Sequence, residues 1–365
     1  MHNVVITGPG AVEVREAPDP VPPGSDGAVV GVESTAICGS DLHFYDGDLP
    51  VGDGVAVGHE FIGTVLEAGP DVANVRVGDR VLAASVTGCG KCAGCATGNP
   101  VTCVRGMQIF GSGVLGGGQA TSVAVPNANF QLLRIPDGVD DEAALLLTDN
   151  LSTGWIGAKK ADIPPGGTVV VIGVGAVGLC AVRAAFAQGA GTVLAADPVA
   201  GRRALAADSG ATPLEGPTVA AVLEHTGGRG ADSVIDTVAR DVTLDDALTC
   251  VRADGTVSVL GVHDLNPYPL PILMALIRNL TLRMTTAPIQ QTWTDLLPLV
   301  TTGSLRTDGI FTHRFPLSAA ADAYAAVAAR RMSSRQRAVP CTQLHDELSA
   351  ICTSHREGNA DRYSA

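Results

Sequence analysis

The pattern of apolar and polar positions divides the chain into two styles that meet near residue 142. Before that point, short valine-rich runs alternate with Gly, Pro and Asp, at residues 4–6, 27–32, 63–67 and 78–82. Strands separated by turn residues at such short intervals are typical of an irregular β-barrel. We therefore predict a β-rich domain over roughly the first 135 residues.

Beyond this point, continuous apolar runs alternate with alanine-rich segments. Strands are predicted at residues 168–172, 192–196, 232–236 and 255–260, and helices at residues 182–187 and 202–207, after a first helix that begins at Asp141. Buried strands that alternate with helices predict an α/β architecture with a doubly wound parallel sheet.

The end of the chain has a different character. From residue 289 the pattern is mainly helical, with an alanine-rich helix predicted at residues 319–329. The residues from Ser333 onward have no clear periodicity, and we expect this tail to be partly disordered.

Composition narrows the class of protein. The 365 residues are enough for two domains, and 46 % hydrophobic against 17 % charged residues indicates a globular protein with large cores. The formal net charge of −13 argues against nucleic acid or an anionic membrane as partner, because phosphate binding needs an excess of Lys and Arg. Without a basic leader or an apolar run of about 18 residues, the chain is predicted to be soluble and cytoplasmic.

Four closely spaced cysteines carry the strongest chemical signal: Cys89, Cys92, Cys95 and Cys103. Three thiolates two residues apart and a fourth after one short loop can surround a single tetrahedral zinc ion. The alternative is one or two disulfides, which would need an oxidising compartment that nothing else in the chain indicates. We predict a closed structural zinc site, which leaves no coordination position for a substrate.

The other cysteines have a simpler interpretation. Cys180, Cys250, Cys341 and Cys352 are expected to be reduced thiols in a cytoplasmic protein. The first two are predicted to be buried as small apolar residues.

A glycine-rich segment follows the first strand of the predicted parallel sheet. Gly173, Gly175, Val177 and Gly178 lie between that strand and a helix, and Asp197 ends the next strand. Such glycines let the backbone approach a pyrophosphate at the helix N-terminus, and the acid can accept hydrogen bonds from ribose hydroxyls. A lone motif of this kind is often only a tight turn, but the strand–turn–helix order favours a dinucleotide-binding site.

The residues around the predicted dinucleotide site include some that favour NAD and some that favour NADP. The Asp197 carboxylate would repel a 2′-phosphate, whereas Arg202 and Arg203 follow within one helical turn and could attract it. Both arginines could equally occupy the solvent face of a helix, so we predict NAD as the cofactor, with Arg202 near its binding site.

Cys38 and His59 form a second candidate metal set. Taken singly, each could be a buried small residue or a core histidine. Together they suggest a metal site, because thiolate and imidazole are strong zinc ligands and both residues lie beside acids and glycines. In an enzyme that oxidises alcohols, such a metal can act as a Lewis acid.

With these motifs in order, the chain resembles the zinc-containing medium-chain alcohol dehydrogenase family over about residues 1–330. The motifs are Gly58-His59-Glu60 with Gly63 and Gly69, the four-cysteine segment, the glycine-rich segment and Asp197. The resemblance implies a GroES-like catalytic domain at residues 1–152 and a Rossmann domain at residues 153–288. It also implies that residues 289–365 return to the catalytic domain and end in a tail.

The resemblance supplies a catalytic zinc site. Cys38, His59 and Asp149 would bind that zinc and leave one position open, so two zinc ions per chain are expected. Asp149 depends on the resemblance, since from sequence alone it reads as a helix-capping acid. An aspartate at this position marks a bacterial subgroup of the family.

Further roles follow from the same resemblance. Asp41 would hold the zinc-bound imidazole, and Glu60 would approach zinc during ligand exchange. Ser40 and His43 would relay the alcohol proton to solvent, although they could be simply a turn hydroxyl and a surface histidine.

Two positions depart from the family pattern. Gly39 stands where some members have arginine. Arg337 could take over contact with the pyrophosphate, although the tail beyond it does not look like the family's closing strand.

We therefore predict a zinc-dependent oxidoreductase that transfers hydride between an alcohol, or its aldehyde or ketone, and NAD, as a homodimer or homotetramer. The alternatives are a polyol or formaldehyde dehydrogenase of the same family, and a non-catalytic NAD- and zinc-binding redox sensor. Substrate-pocket walls are expected from the loops after Ser40 and His59, and around Leu115, Trp155 and Val262.

Overall fold

The computed structural model describes residues 1–50, 52–332 and 341–345. The first ten strands are β1 (His2–Gly8), β2 (Ala11–Glu16), β3 (Ala28–Ile37), β4 (Val55–Ala56), β5 (Phe61–Ala68), β6 (Arg80–Ala83), β7 (Val86–Thr87), β8 (Gln108–Ile109), β9 (Ser122–Val125) and β10 (Leu132–Arg134). The helices of this region are α1 (Asp41–Tyr45), α2 (Ala93–Ala96), α3 (Ala128–Gln131), α4 (Asp141–Leu147) and α5 (Asn150–Lys160), with a 3₁₀ turn at Pro100–Thr102.

The second region alternates strand and helix. Its elements are β11 (Thr168–Ile172), α6 (Ala176–Ala187), β12 (Thr192–Ala196), α7 (Ala200–Asp208), β13 (Thr212–Pro213), α8 (Thr218–His225), β14 (Ala231–Asp236), α9 (Asp241–Cys250), β15 (Val251–Val259), α10 (Ile272–Ile277) and β16 (Thr281–Met284). The chain then forms α11 (Ile289–Thr301), β17 (Phe311–Pro316), a 3₁₀ turn at Leu317–Ala319, α12 (Ala320–Met332) and β18 (Cys341–His345).

The largest sheet of the first region has the strand order β10-β6-β5-β3-β18-β17, and β9 also pairs with β3. Smaller sheets have the orders β2-β1-β4 and β7-β8. We call the described residues up to 160 and from 289 onward the β-rich part. The valine-rich runs of the sequence do form strands of these sheets, because their apolar side chains fill the cores of the β-rich part.

The last strand corrects one expectation for the tail, that the chain beyond Arg337 does not look like a closing strand. β18 pairs antiparallel with β3, from Thr342 opposite Ile37 to His345 opposite Ser34, and parallel with β17. The tail therefore does contain a strand that completes the large sheet. A run of five residues has too little periodicity to be detected, and its conformation depends on backbone pairing with strands far away in sequence. Arg337 and Cys352 lie outside the described residues.

The second region is a six-stranded parallel sheet in the order β13-β12-β11-β14-β15-β16, with helices packed against it. We call residues 168–284 the parallel-sheet part. The predicted strands at 168–172, 192–196 and 232–236 are confirmed, because their continuous apolar runs are buried on both faces. The edge strand β16, which is partly polar, was not predicted.

The two parts meet along α5 and α6. Gly154 of α5 lies so close to α6 that a Cβ atom there would be 2.6 Å from the backbone nitrogen of Ala181. On its other side α5 is held by α11, where the Thr292 hydroxyl donates to the Ser152 hydroxyl at 2.8 Å. The helix pair therefore fixes the β-rich part against the parallel sheet. Within the described residues, no helix has the length and apolar character needed to cross a membrane.

Close backbone packing makes Gly63 of β5 sensitive to substitution. A Cβ atom at Gly63 would lie 1.9 Å from the carbonyl oxygen of Gly31 on β3. We expect Gly63→Ala to lower the free energy of unfolding by roughly 1–3 kcal/mol, because two backbones would have to separate. Thermal denaturation should show this against Gly116→Ala, whose added methyl group meets no atom within 4 Å. Equal stability of the two variants would contradict the argument.

Candidate active site

A cleft between the β-rich part and the parallel-sheet part holds a cavity of about 1700 Å³. Cys38, His59 and Asp149 line it from the first part, and Gly175 and Asp197 line it from the second. The other side chains that the β-rich part contributes are mostly apolar: Leu42, Phe44, Leu49, Val86, Val101, Ile109, Phe110 and Ile289. Both sets of motif residues therefore open into one space.

Strand ends bring a thiol, an imidazole and a carboxylate together. Cys38 follows β3, while His59 and Glu60 immediately precede β5, which pairs with β3. One potential ligand atom from each of the three lies within 4.8 Å of the other two, the distance range of a shared metal ion. The side chain of His59 is 9 % exposed and that of Glu60 is fully buried.

Asp149 lies beside the group formed by Cys38, His59 and Glu60, but it is not one of those three residues. Its Oδ2 atom is 3.9 Å from His59 Nε2, and Glu60 Oε1 is 3.8 Å from the same nitrogen on another side. Thr153 donates to the second oxygen of Asp149 at 3.0 Å. Asp149 lines the cavity, whereas Glu60 is buried behind it and accepts a hydrogen bond from Asn150. Two carboxylates thus flank the imidazole.

The second imidazole nitrogen faces Asp41. His59 Nδ1 lies 3.2 Å from Asp41 Oδ1, which leaves Nε2 directed at the thiol and the two carboxylates. The backbone nitrogen of Cys38 donates to Asp41 Oδ2 at 2.9 Å. A carboxylate on the far nitrogen orients a histidine for metal binding, as is common at zinc sites.

Sequence reasoning missed the residues that hold Asp41. Gln119 is fully buried and donates to Asp41 Oδ2 at 3.3 Å and to the carbonyl oxygen of Ala36 at 3.0 Å. The Tyr324 hydroxyl of α12 donates to Gln119 Oε1 at 2.9 Å. No local motif marks Gln119 or Tyr324, because only folding brings positions 41, 119 and 324 together.

The electrostatics of this group favour a cation. Burial raises the pKa of Glu60 to about 8, with Asp149 adding to the shift, and burial also raises the pKa of the Cys38 thiol. Burial alone would lower the pKa of His59, but the Asp41 carboxylate and the Cys38 sulfur together outweigh it and raise that pKa. Glu60 Oε1 is buried without a hydrogen-bond partner. A zinc ion fits this donor set, because it would satisfy the thiolate and the uncompensated acids.

Ser40 immediately precedes α1, and His43 lies within it. Ser40 Oγ is 3.4 Å from His59 Nε2, and both Ser40 and His43 line the cavity. His43 is a buried side chain rather than a surface histidine, and its Nδ1 atom lies 3.0 Å from Asp48 Oδ2.

The four cysteines of the second metal motif form a compact cluster. Their sulfur atoms lie within 4.8 Å of one another, with Cys92 and Cys95 at 3.5 Å and Cys89 and Cys95 at 4.0 Å. Sulfurs placed tetrahedrally around zinc are about 3.8 Å apart, whereas a disulfide needs about 2.05 Å. The spacing fits a four-thiolate zinc site, and all four thiols are free.

Hydrogen bonds from backbone amides stabilise the thiolate form of two of these cysteines. Hydrogen bonding from the backbone of Cys95 lowers the pKa of Cys92 to about 6, and the backbone of Lys91 lowers the pKa of Cys89. Burial instead raises the pKa of Cys95 to about 12. A bound cation would offset that cost. Cys180 and Cys250 are buried elsewhere, in the parallel-sheet part.

The glycine-rich segment forms the turn between β11 and α6. Gly173 has a φ of +80°, and a Cβ atom at Gly178 would lie 1.9 Å from the carbonyl oxygen of Gly173, so both positions require glycine. Gly175, just before α6, faces open space with only an Arg202 nitrogen 4.0 Å from a Cβ placed there. Val177 also lines the cavity. The open space at a helix N-terminus suits a pyrophosphate.

Asp197 lies next to this turn, after β12. Its two carboxylate oxygens accept hydrogen bonds from the backbone nitrogens of Val174 and Val199 at 3.0 and 2.8 Å. Arg202 Nη1 lies 3.5 Å from Asp197 Oδ2. Arg203 turns away, because its guanidinium donates to the Asp197 carbonyl oxygen and to Glu215. Asp197 is thus both a turn residue and an acid on the cavity wall.

Two of the expected pocket residues lie elsewhere. Val262 lines the cavity, but Leu115 packs against the core of the β-rich part. Trp155 is buried in the core around α5, with its ring nitrogen 3.2 Å from Asp295. The expectation for Leu115 and Trp155 was wrong, because Leu115 is used in the packing of the β-rich core and the Trp155 ring is held by Asp295 of α11.

Comparison with known proteins identifies the family. Residues 24–137 match the alcohol dehydrogenase GroES-like domain, and residues 176–302 match the zinc-binding dehydrogenase domain. The chain is 57 % identical over 330 residues to a Mycobacterium tuberculosis protein named "Probable zinc-binding alcohol dehydrogenase", covering 90 % of this chain and 86 % of the relative. The chain belongs to the zinc-containing alcohol dehydrogenase family.

Solved structures agree with this assignment. Alcohol dehydrogenase TADH from Thermus sp. ATN1 superimposes with a TM-score of 0.86 at 33 % identity, over 95 % of this chain and all of the other. A dehydrogenase from Sinorhizobium meliloti 1021, solved bound to NADP, has a TM-score of 0.79 at 29 % identity, over 94 % of this chain and 98 % of the other.

Membership of this family confirms several predictions from the sequence. The architecture is a GroES-like β-rich part with a Rossmann-type parallel sheet. The protein is a zinc oxidoreductase that works with a nicotinamide cofactor on small molecules.

Proposed function

We propose that this chain is an NAD-dependent dehydrogenase that interconverts an alcohol with its aldehyde or ketone. One observation carries the proposal: Cys38, His59 and Asp149 share a single cavity with the glycine turn and Asp197. A reacting carbon between a metal site and a dinucleotide site can pass hydride directly to the cofactor. A non-catalytic redox sensor does not require a metal site and a dinucleotide site that face the same cavity.

We assign the catalytic metal to Cys38, His59 and Asp149. Zinc bound there would act as a Lewis acid toward the alcohol oxygen, and a bound nicotinamide would take up hydride from the carbinol carbon. Asp149 is the preferred carboxylate because it lines the cavity, while Glu60 is fully buried beside His59 Nε2 and is not part of the cavity wall. Glu60 is close enough to exchange with it, and Asp41 keeps the His59 ring in place.

Ser40 and His43 are proposed to conduct the alcohol proton. The Ser40 hydroxyl is positioned beside His59 Nε2, where the metal-binding atoms converge. His43 lies one helical turn further along α1 and also lines the cavity. A hydroxyl followed by an imidazole can pass a proton from the buried oxygen toward solvent.

The metal assignment predicts that Asp149→Ala loses most activity yet binds cofactor nearly as well as the wild-type protein. The reason is that Asp149 belongs to the metal end of the cavity and Asp197 to the cofactor end. Alcohol oxidation followed by absorbance of the reduced cofactor, cofactor titration and zinc analysis would test this. The exposed Asp53→Asn serves as a matched control, and full activity of Asp149→Ala would overturn the assignment.

The same assay with a substrate panel distinguishes the candidate functions. The apolar wall formed by Phe44, Leu49 and Phe110 favours simple or aromatic alcohols over polyols. Primary, secondary and aromatic alcohols, polyols and formaldehyde should therefore be compared. Preference for polyols or formaldehyde would support the alternative dehydrogenases, and absence of turnover with any substrate would support the sensor.

We propose that the four-cysteine cluster binds a second zinc ion that supports the fold. Cys95→Ser should lower the apparent melting temperature and the zinc content from two toward one per chain, while the remaining folded protein still turns over. Buried Cys250→Ser, in the parallel-sheet part, is the control for loss of a buried thiol. Paired disulfides in this segment would contradict both the zinc assignment and the cytoplasmic location that free thiols support.

NAD is proposed over NADP because of Asp197. Its carboxylate would be a like charge against a 2′-phosphate, costing roughly 1–3 kcal/mol, or about ten- to hundred-fold in affinity. Arg202 already faces this carboxylate, and Arg203 is engaged by Glu215. The NADP-bound relative supports the competing choice.

The cofactor assignment predicts that Asp197→Gly narrows or reverses the preference for NAD, since it opens space and leaves Arg202 unopposed. Asp197→Asn, which keeps one acceptor oxygen for the backbone amides, should shift the preference with less loss of stability. The ratio of kcat/KM for the two cofactors measures both. A wild-type enzyme with the higher kcat/KM for NADP would contradict the proposal.

A homo-oligomer is supported by one surface of the parallel-sheet part. Ile272, Leu273, Leu276 and Ile277 of α10 are 63–73 % exposed, next to the sheet-edge strand β16. An exposed apolar helix beside an open strand edge suits pairing with a second copy. We expect Leu276→Asp to reduce the molar mass in light scattering toward that of one chain, while the isolated exposed Val21→Asp leaves it unchanged. An unaltered mass for Leu276→Asp would exclude this surface.

A further inference from the structure

A chain of polar contacts crosses the cleft from His43. His43 Nδ1 lies 3.0 Å from Asp48 Oδ2, and Arg240 Nη2 lies 3.0 Å from that same oxygen. His43 belongs to α1 of the β-rich part, and Asp48 lies in the segment that follows it. Arg240 immediately precedes α9 in the parallel-sheet part. One carboxylate oxygen therefore connects a candidate proton carrier to the opposite side of the cleft.

The segment after α1 is shaped around His43. The backbone nitrogen of Leu49 donates to the carbonyl oxygen of His43 at 3.0 Å, so the chain folds back and returns Asp48 to the imidazole. The His43 side chain is only 8 % exposed and that of Asp48 is 29 % exposed. A carboxylate at Nδ1 favours the tautomer with the proton on that nitrogen, so a second proton taken up by the ring goes to Nε2.

Charged side chains of the described residues lie on both sides of this contact. Burial opposes ionisation of Asp48, but hydrogen bonds from His43 and Arg240 outweigh it and lower the pKa of Asp48. Asp46 closes the end of α1, while Asp41 is turned toward His59 and Cys38.

On the other side of the cleft, Asp241 follows Arg240 and is paired with His263 at 2.9 Å. Asp264 also lies 3.4 Å from that histidine. Among the described residues, Asp48 is in direct contact with the His43 ring and Arg240 with Asp48, so this charged pair acts on the imidazole at short range.

We propose that Asp48 is a positioning residue for His43, and that Arg240 adjusts the basicity of His43 through Asp48. Asp48 fixes the ring and its tautomer and stabilises the imidazolium that forms when His43 takes up a proton. Arg240 pairs with the same carboxylate oxygen and so weakens the attraction between Asp48 and the imidazolium. The proposal rests on the proton-relay role of His43 proposed above.

The proposal predicts opposite effects for the two partners. Asp48→Asn removes the negative charge and leaves Arg240 facing the ring, so the titration midpoint of His43 should fall by about one pH unit. Arg240→Gln leaves Asp48 fully available to the imidazolium, so the midpoint should rise by roughly half a unit. The double variant should return close to the wild-type midpoint. A merely structural role for either residue would not produce shifts of opposite sign.

The test uses the zinc-loaded, cofactor-free enzyme labelled with ¹³C at the histidine rings. The ring signal of His43 is assigned by its loss in His43→Gln, and its midpoint is followed by NMR between pH 5 and pH 9 in each variant. Asp53→Asn is the matched control, because this acid is 72 % exposed and pairs only loosely with Arg15 at 3.5 Å. The control should leave the His43 midpoint unchanged.

A second measurement distinguishes the coupling of Asp48 and Arg240 to His43 from the role of His43 as a proton relay. The pH dependence of kcat should move in the same direction as the His43 midpoint in each variant, and Asp48→Ala should lower kcat at neutral pH by roughly ten-fold with little change in KM. If the midpoints shift as expected but kcat does not follow them, His43 is not the proton relay, although the coupling among the three residues stands.

Two results would overturn the proposal. Midpoints that stay within the control's range in both Asp48→Asn and Arg240→Gln would show that Asp48 does not set the state of the ring. Weaker cofactor binding by Arg240→Gln with an unshifted His43 midpoint would show that Arg240 serves the cofactor instead.

Discussion

The contact between α5 and α6 determines how the two parts of this enzyme meet. Gly154 allows α5 to approach the backbone of α6 at Ala181 and Cys180, a distance that any side chain at position 154 would prevent. The N-terminal end of α5 carries Asp149, and the N-terminal end of α6 follows the glycine turn. Because the two helices pack together, both ends line one cavity, and a metal group and a dinucleotide turn become neighbours.

Charge is the second constraint on the site. Asp41, Glu60 and Asp149 surround one imidazole, and each has its own anchor: Gln119, Asn150 and Thr153. These anchors are needed because a buried carboxylate without partners is costly. They also separate the acids, with one behind His59 Nδ1, one buried beside Nε2 and one facing the cavity. The three acids are chemically alike, but their positions suit them to different tasks around one metal ion.

Much of the fold could be predicted because its signals are local. The runs at 168–172 and 192–196 are continuous and apolar, so burial on both faces follows from composition alone. Strands such as β16 and β18 lack such runs. Their hydrogen bonds come from neighbouring strands, so no window of sequence contains the information that makes them strands.

The residues of the candidate site show the same difference between local and long-range information. The sequence by itself determined the spacing of Cys89, Cys92 and Cys95 and the glycine turn, because these geometries are built from residues a few positions apart. Only the tertiary structure decided that Gln119 supports Asp41, that Glu60 is buried while Asp149 faces the cavity, and that Asp48 meets Arg240. These contacts join residues up to 192 positions apart, so they form only after distant segments have folded together, and the contact between Asp48 and Arg240 also requires the two parts to meet across the cleft.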